Sequence, residues 1–240
     1  MMLLRTILFY LVFGIATFFW SLAILAMWFL PEHLHHRYSI GWAKTSIWIA
    51  RTIGGIRWQI HGAEHLPTTP VIFMANHQSN WETIFLPTLH HKNKWVLKKS
   101  ILRIPFLGWA LASLKPIAID RSRPKEAMQR IIEQGRERVE HGYSVILYPE
   151  GTRQPPGAPI VFKHGAIRLA RTLDLPIIAI AHNAGQCWPR RGLLRPGTVH
   201  IHISPPFAAN SDTPNALNQR IEQWVQTHRD LAEQANERLS

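Results

Sequence analysis

The chain is short of cysteine, with one residue, Cys187, in 240. A single thiol excludes an intramolecular disulfide and agrees with a reducing compartment. Its surroundings, Gly185-Gln186-Cys187-Trp188-Pro189, place no base beside it, so the thiol is expected to be buried and inert rather than nucleophilic. Acid is also scarce: 15 Asp and Glu stand against 27 Lys and Arg, for a formal charge of +12. Such a balance suits nucleic acid, anionic lipid surfaces or phosphorylated substrates. No long Lys/Arg block is present, however, and the scattered charge argues against nucleic acid as the partner. The chain lacks a Gly-x-Ser-x-Gly elbow, a Walker loop, a dinucleotide glycine pattern and His-Glu-x-x-His. The pairs His35-His36 and His90-His91 have no accompanying cluster of acids or thiols. Adjacent side chains diverge in regular structure, so no metal site is expected. Internal repeats and low-complexity linkers are absent as well.

What is present starts with apolar material. Hydrophobic residues make up 46% of the chain, ample for one core. Residues 7–30 carry no charge, with Arg5 before them and Pro31-Glu32 after, and include Trp20 and Trp28. As a helix this run would be about 36 Å long, against a hydrocarbon core of about 30 Å. The apolar part of a cleaved leader is only about 7–15 residues, and no small-residue cleavage site follows, so a retained membrane anchor is expected. Residues 40–53 form a second helical stretch with Trp42, Ile49 and Ile53 on one face and Lys44 and Arg51 roughly opposite, although Ile40 and Ile47 fall on the charged side. It suits either an interfacial helix or an ordinary helix packed on the body. The first helix either spans alone or forms a hairpin with the second in one leaflet. Arg37, Lys44 and Arg51 outnumber Arg5, which sets the body on the cytoplasmic side.

From Gly54-Gly55 onward the texture changes. Short strand-like runs at 56–60, 71–75, 94–98, 117–119, 144–148, 176–180 and 198–203 alternate with helical stretches at 81–89, 106–114, 126–139, 163–173 and 214–231. Pro124 lies near the start of one helix and Thr213 is placed to cap the last. The expected fold is α/β, a central mixed sheet flanked by helices, preceded by an N-terminal helical membrane anchor. The expected division is an anchoring segment at 1–54 and an α/β domain at 55–240.

Two segments carry chemistry. The first is Asn76-His77-Gln78-Ser79-Asn80-Trp81-Glu82. On one helix His77 and Glu82 would point about 140° apart. They can meet only if His77 sits in the turn after the strand and Glu82 in the following helix. A carboxylate holding one imidazole nitrogen leaves the other free to take a proton; a histidine merely packed or capping at the turn fits the spacing too. The second segment is Tyr148-Pro149-Glu150-Gly151-Thr152-Arg153. Here Gly151 permits close backbone approach and Arg153 offers a fork for phosphate or carboxylate; a solvated loop is the plain alternative. Asp120-Arg121, after the strand at 117–119, adds a cation at a strand end, where α/β sheets bind ligands. Lys163, in Phe162-Lys163-His164-Gly165, is a further candidate.

These blocks, in this order, resemble the glycerolipid acyltransferase family, in particular its 1-acylglycerol-3-phosphate acyltransferases. The resemblance covers 76–181: His77 with Glu82, Ile117-Ala118-Ile119-Asp120-Arg121, Tyr148 to Arg153, and the proline-bearing apolar stretch 175–181. The chain departs from the family pattern at Glu82, usually Asp, at Lys115, usually Gly, and at Ala179, usually a second proline. The resemblance implies direct acyl transfer from acyl-CoA or acyl-carrier protein to the free hydroxyl of lysophosphatidic acid, giving phosphatidic acid. Glycerol 3-phosphate or another lysolipid is the alternative acceptor. It implies His77 as base, Glu82 as its orienting acid, and Arg121, Glu150, Gly151, Thr152, Arg153 and Lys163 as substrate-binding residues. No cofactor is implied; the partners are membrane lipid and the two substrates, and the place is the cell inner membrane with the catalytic domain facing the cytoplasm. A basic membrane module that only binds anionic lipid is the rival; it leaves the ordered blocks unexplained.

Overall fold

The computed structural model describes every residue except 28, 91, 121 and 238–240. Trp28, His91 and Arg121, all used in the sequence reading, therefore lie outside the described residues. Helices α1 (Met2–Ala26) and α2 (Glu32–Thr52) lead into β1 (Ile56–His61). Then come β2 (Ile72–Ala75), α3 (Trp81–Leu89), β3 (Asn93–Lys98), α4 (Leu107–Ser113) and β4 (Ile117–Ile119). The remainder is α5 (Pro124–Glu140), β5 (Ser144–Leu147), α6 (Gly165–Leu173), β6 (Ile177–His182), a short α7 (Ala184–Cys187), β7 (Gly197–Ile203) and α8 (Pro214–Glu237). Two single 3-10 turns, Ala63–His65 and Lys99–Arg103, were not legible from periodicity.

The strands form one sheet in the order β1-β7-β6-β2-β5-β3-β4. All neighbours run parallel except β6 and β7, so the sheet is mixed as expected. The central strands β2, β5 and β6 are buried along their whole length, which is why they read as continuous apolar runs rather than alternations. Successive side chains still serve opposite faces. Phe73, Ala75, Ile178 and Ile180 join a core with α1, α2 and α3. Ile72, Met74, Ile177 and Ala179 join a second core with α5, α6 and α8.

Helix α2 begins eight residues before the expected stretch, directly after Pro31. Its polar start hid it from hydropathy, but His35 and His36 are buried there, and the His35 ring meets the carbonyl of Met27. Of the two readings of this helix, packing on the body is the observed one: Ala43, Ile47, Ile49 and Ala50 are core residues, and Trp48 stays exposed. Ile47, which falls on the charged side of a helical wheel, is buried because α1 and α3 flank α2. At α8 the hydroxyl of Thr213 accepts the amide of Ala216 at 3.3 Å, the anticipated cap.

Candidate active site

Four neighbouring parallel strands place the chemistry. His77 follows the end of β2, Tyr148 to Arg153 follow β5, Lys98 closes β3 and Asp120 follows β4. Carboxyl ends of adjacent parallel strands are where loops of an α/β sheet converge on a ligand. The chain leaves β2 at Ala75, turns through 76–80 and enters α3 at Trp81. That turn replaces the unfavourable helical spacing of His77 and Glu82. The His77 ring meets Glu82 with Nδ1 2.7 Å from Oε1.

Glu82 is 0% exposed. Its Oε1 also accepts the amides of Gln78 at 3.0 Å and Ser79 at 2.8 Å, and the Ser79 hydroxyl accepts the amide of Trp81 at 3.0 Å. The carboxylate thus sits at the N-terminal end of α3 as the shared acceptor of an imidazole and two amides, a favourable place for an anion. Burial acts to raise its pKa. His182, the bond from His77 and the Ser79 amide reverse that, and the net direction is downward. Burial pushes the pKa of His182 itself down, so that ring is neutral near pH 7 and contributes little charge. The His77 bond and the amides therefore hold the anion. Donation of Nδ1–H to Glu82 leaves Nε2 of His77 with its lone pair, the tautomer a general base requires.

The same histidine is held at its backbone. Its amide donates to Glu150 Oε2 at 2.8 Å, its carbonyl accepts the amide of Gln154 at 2.8 Å, and its ring stacks on Tyr148 with centroids 4.5 Å apart. The Tyr148 hydroxyl reaches the carbonyl of Glu82 at 3.3 Å. Desolvation pushes Glu150 up to about 8, against the pull of the His77 amide. Two acids therefore flank one histidine in different states, Glu82 ionised and Glu150 largely protonated at neutral pH.

The other sequence candidates divide. Gly151 has φ +76, and a Cβ there would come within 3.1 Å of Lys163 Nζ. The left-handed turn thus brings the Lys163 ammonium directly over the glycine. Arg153 lines the cavity beside His77. Thr152 is exposed on the same loop. Glu150 is buried and faces the His77 backbone. The neighbour of Arg121 at the end of β4, Asp120, is tied to Ser122 through its amide at 3.0 Å and its hydroxyl at 2.7 Å.

The cavity has a volume of about 330 Å³ and runs among α1, α2, α3, β3 and α4. Its walls are mostly apolar, with Phe13, Trp42, Ile84, Trp95, Leu107 and Leu111 among them, and His77, Lys98 and Arg153 also line it. Lys98 escaped the sequence reading. It stood only at the end of an expected strand, and the signal available there was that a cation closes a strand of a parallel sheet.

Comparison with known proteins follows the same lines. Residues 57–183 match the family model described as Acyltransferase. The chain is 42% identical over 228 residues to a 1-acyl-sn-glycerol-3-phosphate acyltransferase of Pseudomonas aeruginosa, covering 92% of this chain and 89% of that protein. It is 31% identical over 178 residues to a chloroplastic 1-acyl-sn-glycerol-3-phosphate acyltransferase of Brassica napus, covering 72% of this chain but 50% of that longer relative. The crystal structure of a 1-acyl-sn-glycerophosphate acyltransferase from Thermotoga maritima superposes with a TM-score of 0.81 over 97% of this chain and 96% of that one. At 22% identity that likeness speaks to the fold.

Proposed function

The chain belongs to the acyltransferase family, and on that premise we propose that it moves a fatty acyl group from a thioester donor to the free hydroxyl of 1-acylglycerol 3-phosphate, giving phosphatidic acid. The observation that carries this reading is the His77–Glu82 pair at 2.7 Å, with His77 lining a largely apolar cavity that Lys98 and Arg153 also line. His77 takes the hydroxyl proton. The oxygen attacks the thioester carbonyl, and collapse of the tetrahedral adduct expels the thiol of CoA or of an acyl-carrier protein, which takes up a proton. Glu82 keeps the ring in its working tautomer and stabilises the imidazolium while the proton is held. Arg153, Lys163 and Arg121 are the proposed phosphate ligands, matching a dianion with mobile and forked cations. Gly151 and Thr152 shape that loop, and Glu150 acts on the substrate site through the His77 backbone. The apolar cavity takes an acyl chain.

The protein is membrane-associated: α1 is the one helix among the described residues long and apolar enough to cross a bilayer. We propose that it lies in one leaflet. The body docks along its length, through Thr6 to the Leu194 amide at 3.0 Å, Tyr10 to the Trp188 indole at 2.9 Å, and Phe18 to Phe106 with ring centroids 5.1 Å apart. A helix held against the body near both ends cannot cross while the body stays outside. Its other face exposes Leu4, Leu8, Leu11, Ile15, Phe19 and Leu22 at helical spacing, continuous through Phe18 with exposed Phe106 and Trp109. The inner membrane with the catalytic domain in the cytoplasm is the proposed setting, and the single free thiol, Cys187, agrees with that reducing side.

The deciding experiment follows thiol release by the purified protein with acyl-CoA or acyl-carrier protein and a panel of acceptors. Release with 1-acylglycerol 3-phosphate and its loss in His77→Ala are expected. Release confined to glycerol 3-phosphate, or unchanged in His77→Ala, would overturn the reading.

A further inference from the structure

The segment 157–162 links the loop of Arg153 to Lys163, yet it belongs to no strand. Its backbone is satisfied instead by side chains of α8. The amide of Phe162 donates to Glu222 at 2.5 Å, and its carbonyl accepts from Asn218 at 3.2 Å. The amide of Ile160 donates to Gln226 at 2.9 Å, the carbonyl of Ala158 accepts from Arg229 at 2.7 Å, and the amide of Gly157 donates to Glu233 Oε2 at 3.0 Å. The partners descend along the segment as they ascend along the helix, so the two run antiparallel. From Phe162 to Ala158 the spacings are close, since three or four helical residues advance about 4.5–6 Å and two residues of extended chain about 6.6 Å; the last rung, from Ala158 to Gly157, moves one residue of the segment against four of the helix. One polar stripe of a helix thus does for this segment what a neighbouring strand would do.

Glu233 extends this ladder to the catalytic turn. Its second oxygen, Oε1, accepts Gln78 Nε2 at 2.9 Å, and Gln78 Oε1 accepts the amide of Gly185 at 3.1 Å. Gly185 lies so close that a Cβ there would come within 2.8 Å of the Gln78 Cβ. Gln78 is the residue after His77, and Gly157 is four residues after Arg153. One buried carboxylate therefore clamps both halves of the site from behind, touching no substrate-facing atom.

We propose that Glu233 is a positioning residue for acyl transfer: through Gln78 and Gly157 it sets the register of the His77 turn against the loop of Arg153 and Lys163. This rests on the acyl-transfer reading of the site, and its test separates the two. In the full-length protein, Glu233→Gln keeps the shape but turns one acceptor into a donor, and Gln78→Glu sets two carboxylates face to face. The double variant restores the pairing at 78: the new acid there accepts from the new amide at 233, whose oxygen still accepts Gly157, and Arg229, which loses the Glu233 carboxylate at 3.6 Å, keeps Asp230 at 2.7 Å. Two measurements are compared across wild type, both singles and the double. Amide hydrogen exchange at Gly157, read without substrate, should quicken at least tenfold in each single and return in the double, while Ile160 and Phe162, held by Gln226 and Glu222, keep their rates. With 1-acylglycerol 3-phosphate, kcat/KM should fall at least tenfold in each single, with both kcat and the acceptor KM affected and the donor KM unchanged, and recover to within threefold in the double. Gln226→Ala removes the Ile160 rung and the bond from Gln226 to Asp230, and should quicken exchange at Ile160 while leaving Gly157 unchanged; if Glu233→Gln does not fold, Gln78→Glu alone decides, and wild-type exchange and kcat/KM in it overturn the proposal. Unaltered exchange in Glu233→Gln would overturn the proposal, and so would wild-type kcat/KM in that variant or a double as impaired as the singles. A wild type that acylates some other acceptor would sink the choice of substrate, while exchange and the rescue, read on that acceptor, would still decide the clamp.

Discussion

The backbone amide of His77 ends on the carboxyl of Glu150, 2.8 Å away and 73 residues on in the chain. This bond joins the two segments that carry the chemistry, and it makes Glu150 a holder of the base. Glu82 on the ring and Glu150 on the backbone hold the histidine in place before the substrate arrives.

Removal of the base comes first. His77→Ala should lower kcat by about 10²- to 10⁴-fold, the usual range for a general base. Glu82→Gln should lower it by a similar order, because the amide no longer fixes the tautomer. Glu82→Asp, with a shorter arm, should fall between wild type and Glu82→Gln, since the 2.7 Å contact must lengthen. Thiol release under saturating substrates checks all three.

The raised pKa of Glu150 gives stability a slope with pH. Its value is about 8 when folded, against 4.5 for the ordinary group. The folded chain therefore binds the proton more tightly, and this contribution is full below about pH 4.5 and lost as pH rises towards 8. Thermal melts between pH 5 and pH 8.5 should show wild type losing stability relative to Glu150→Gln as pH rises, by an amount on the order of a few kcal/mol. Parallel curves for the two proteins would contradict the assignment.

Arg153 should act on the acceptor alone. Arg153→Ala is expected to raise the KM for 1-acylglycerol 3-phosphate by about tenfold to a hundredfold, as loss of a charge-assisted hydrogen bond of about 1.5–3 kcal/mol requires. Arg153→Lys should recover part of this, because a point charge replaces a fork. The donor KM should stay put in steady-state kinetics with both substrates varied.

The exposed face of α1 should govern attachment. Ile15→Lys or Phe19→Lys puts a charge on that face, where an interfacial helix buries apolar surface. Either variant should float poorly with vesicles while keeping its melting temperature, as both side chains point away from the body. A matching substitution at Phe9, buried at 0% exposure, should instead unfold the protein.

Much of this was legible in the chain itself. The runs at 71–75 and 144–148 read as strands, being short and apolar and flanked by Pro70 and Pro149, and the glycine-bearing turn after the second pointed to an unusual backbone. Thr213 and Pro214 announced α8. The start of α2 was hidden because His35 and His36 look polar, although tertiary packing buries them. Lys98 was hidden because nothing local separates a solvated lysine from one at the mouth of a cavity. The stripe of Asn218, Glu222, Gln226, Arg229 and Glu233 reads locally as a solvent-facing side of a helix; only the segment 157–162 gives it partners.

The sequence by itself determined the elements, their order and the kinds of group available: hydropathic period and turn residues act over a few positions, and those are local properties. The tertiary structure alone decided which groups meet. Whether His77 turns onto Glu82, whether Lys163 lies over Gly151 and whether α1 lies along the body all depend on strand order and on packing between segments far apart in the chain. Such contacts are chosen by the burial of whole faces against one another, and no short stretch of residues contains that information.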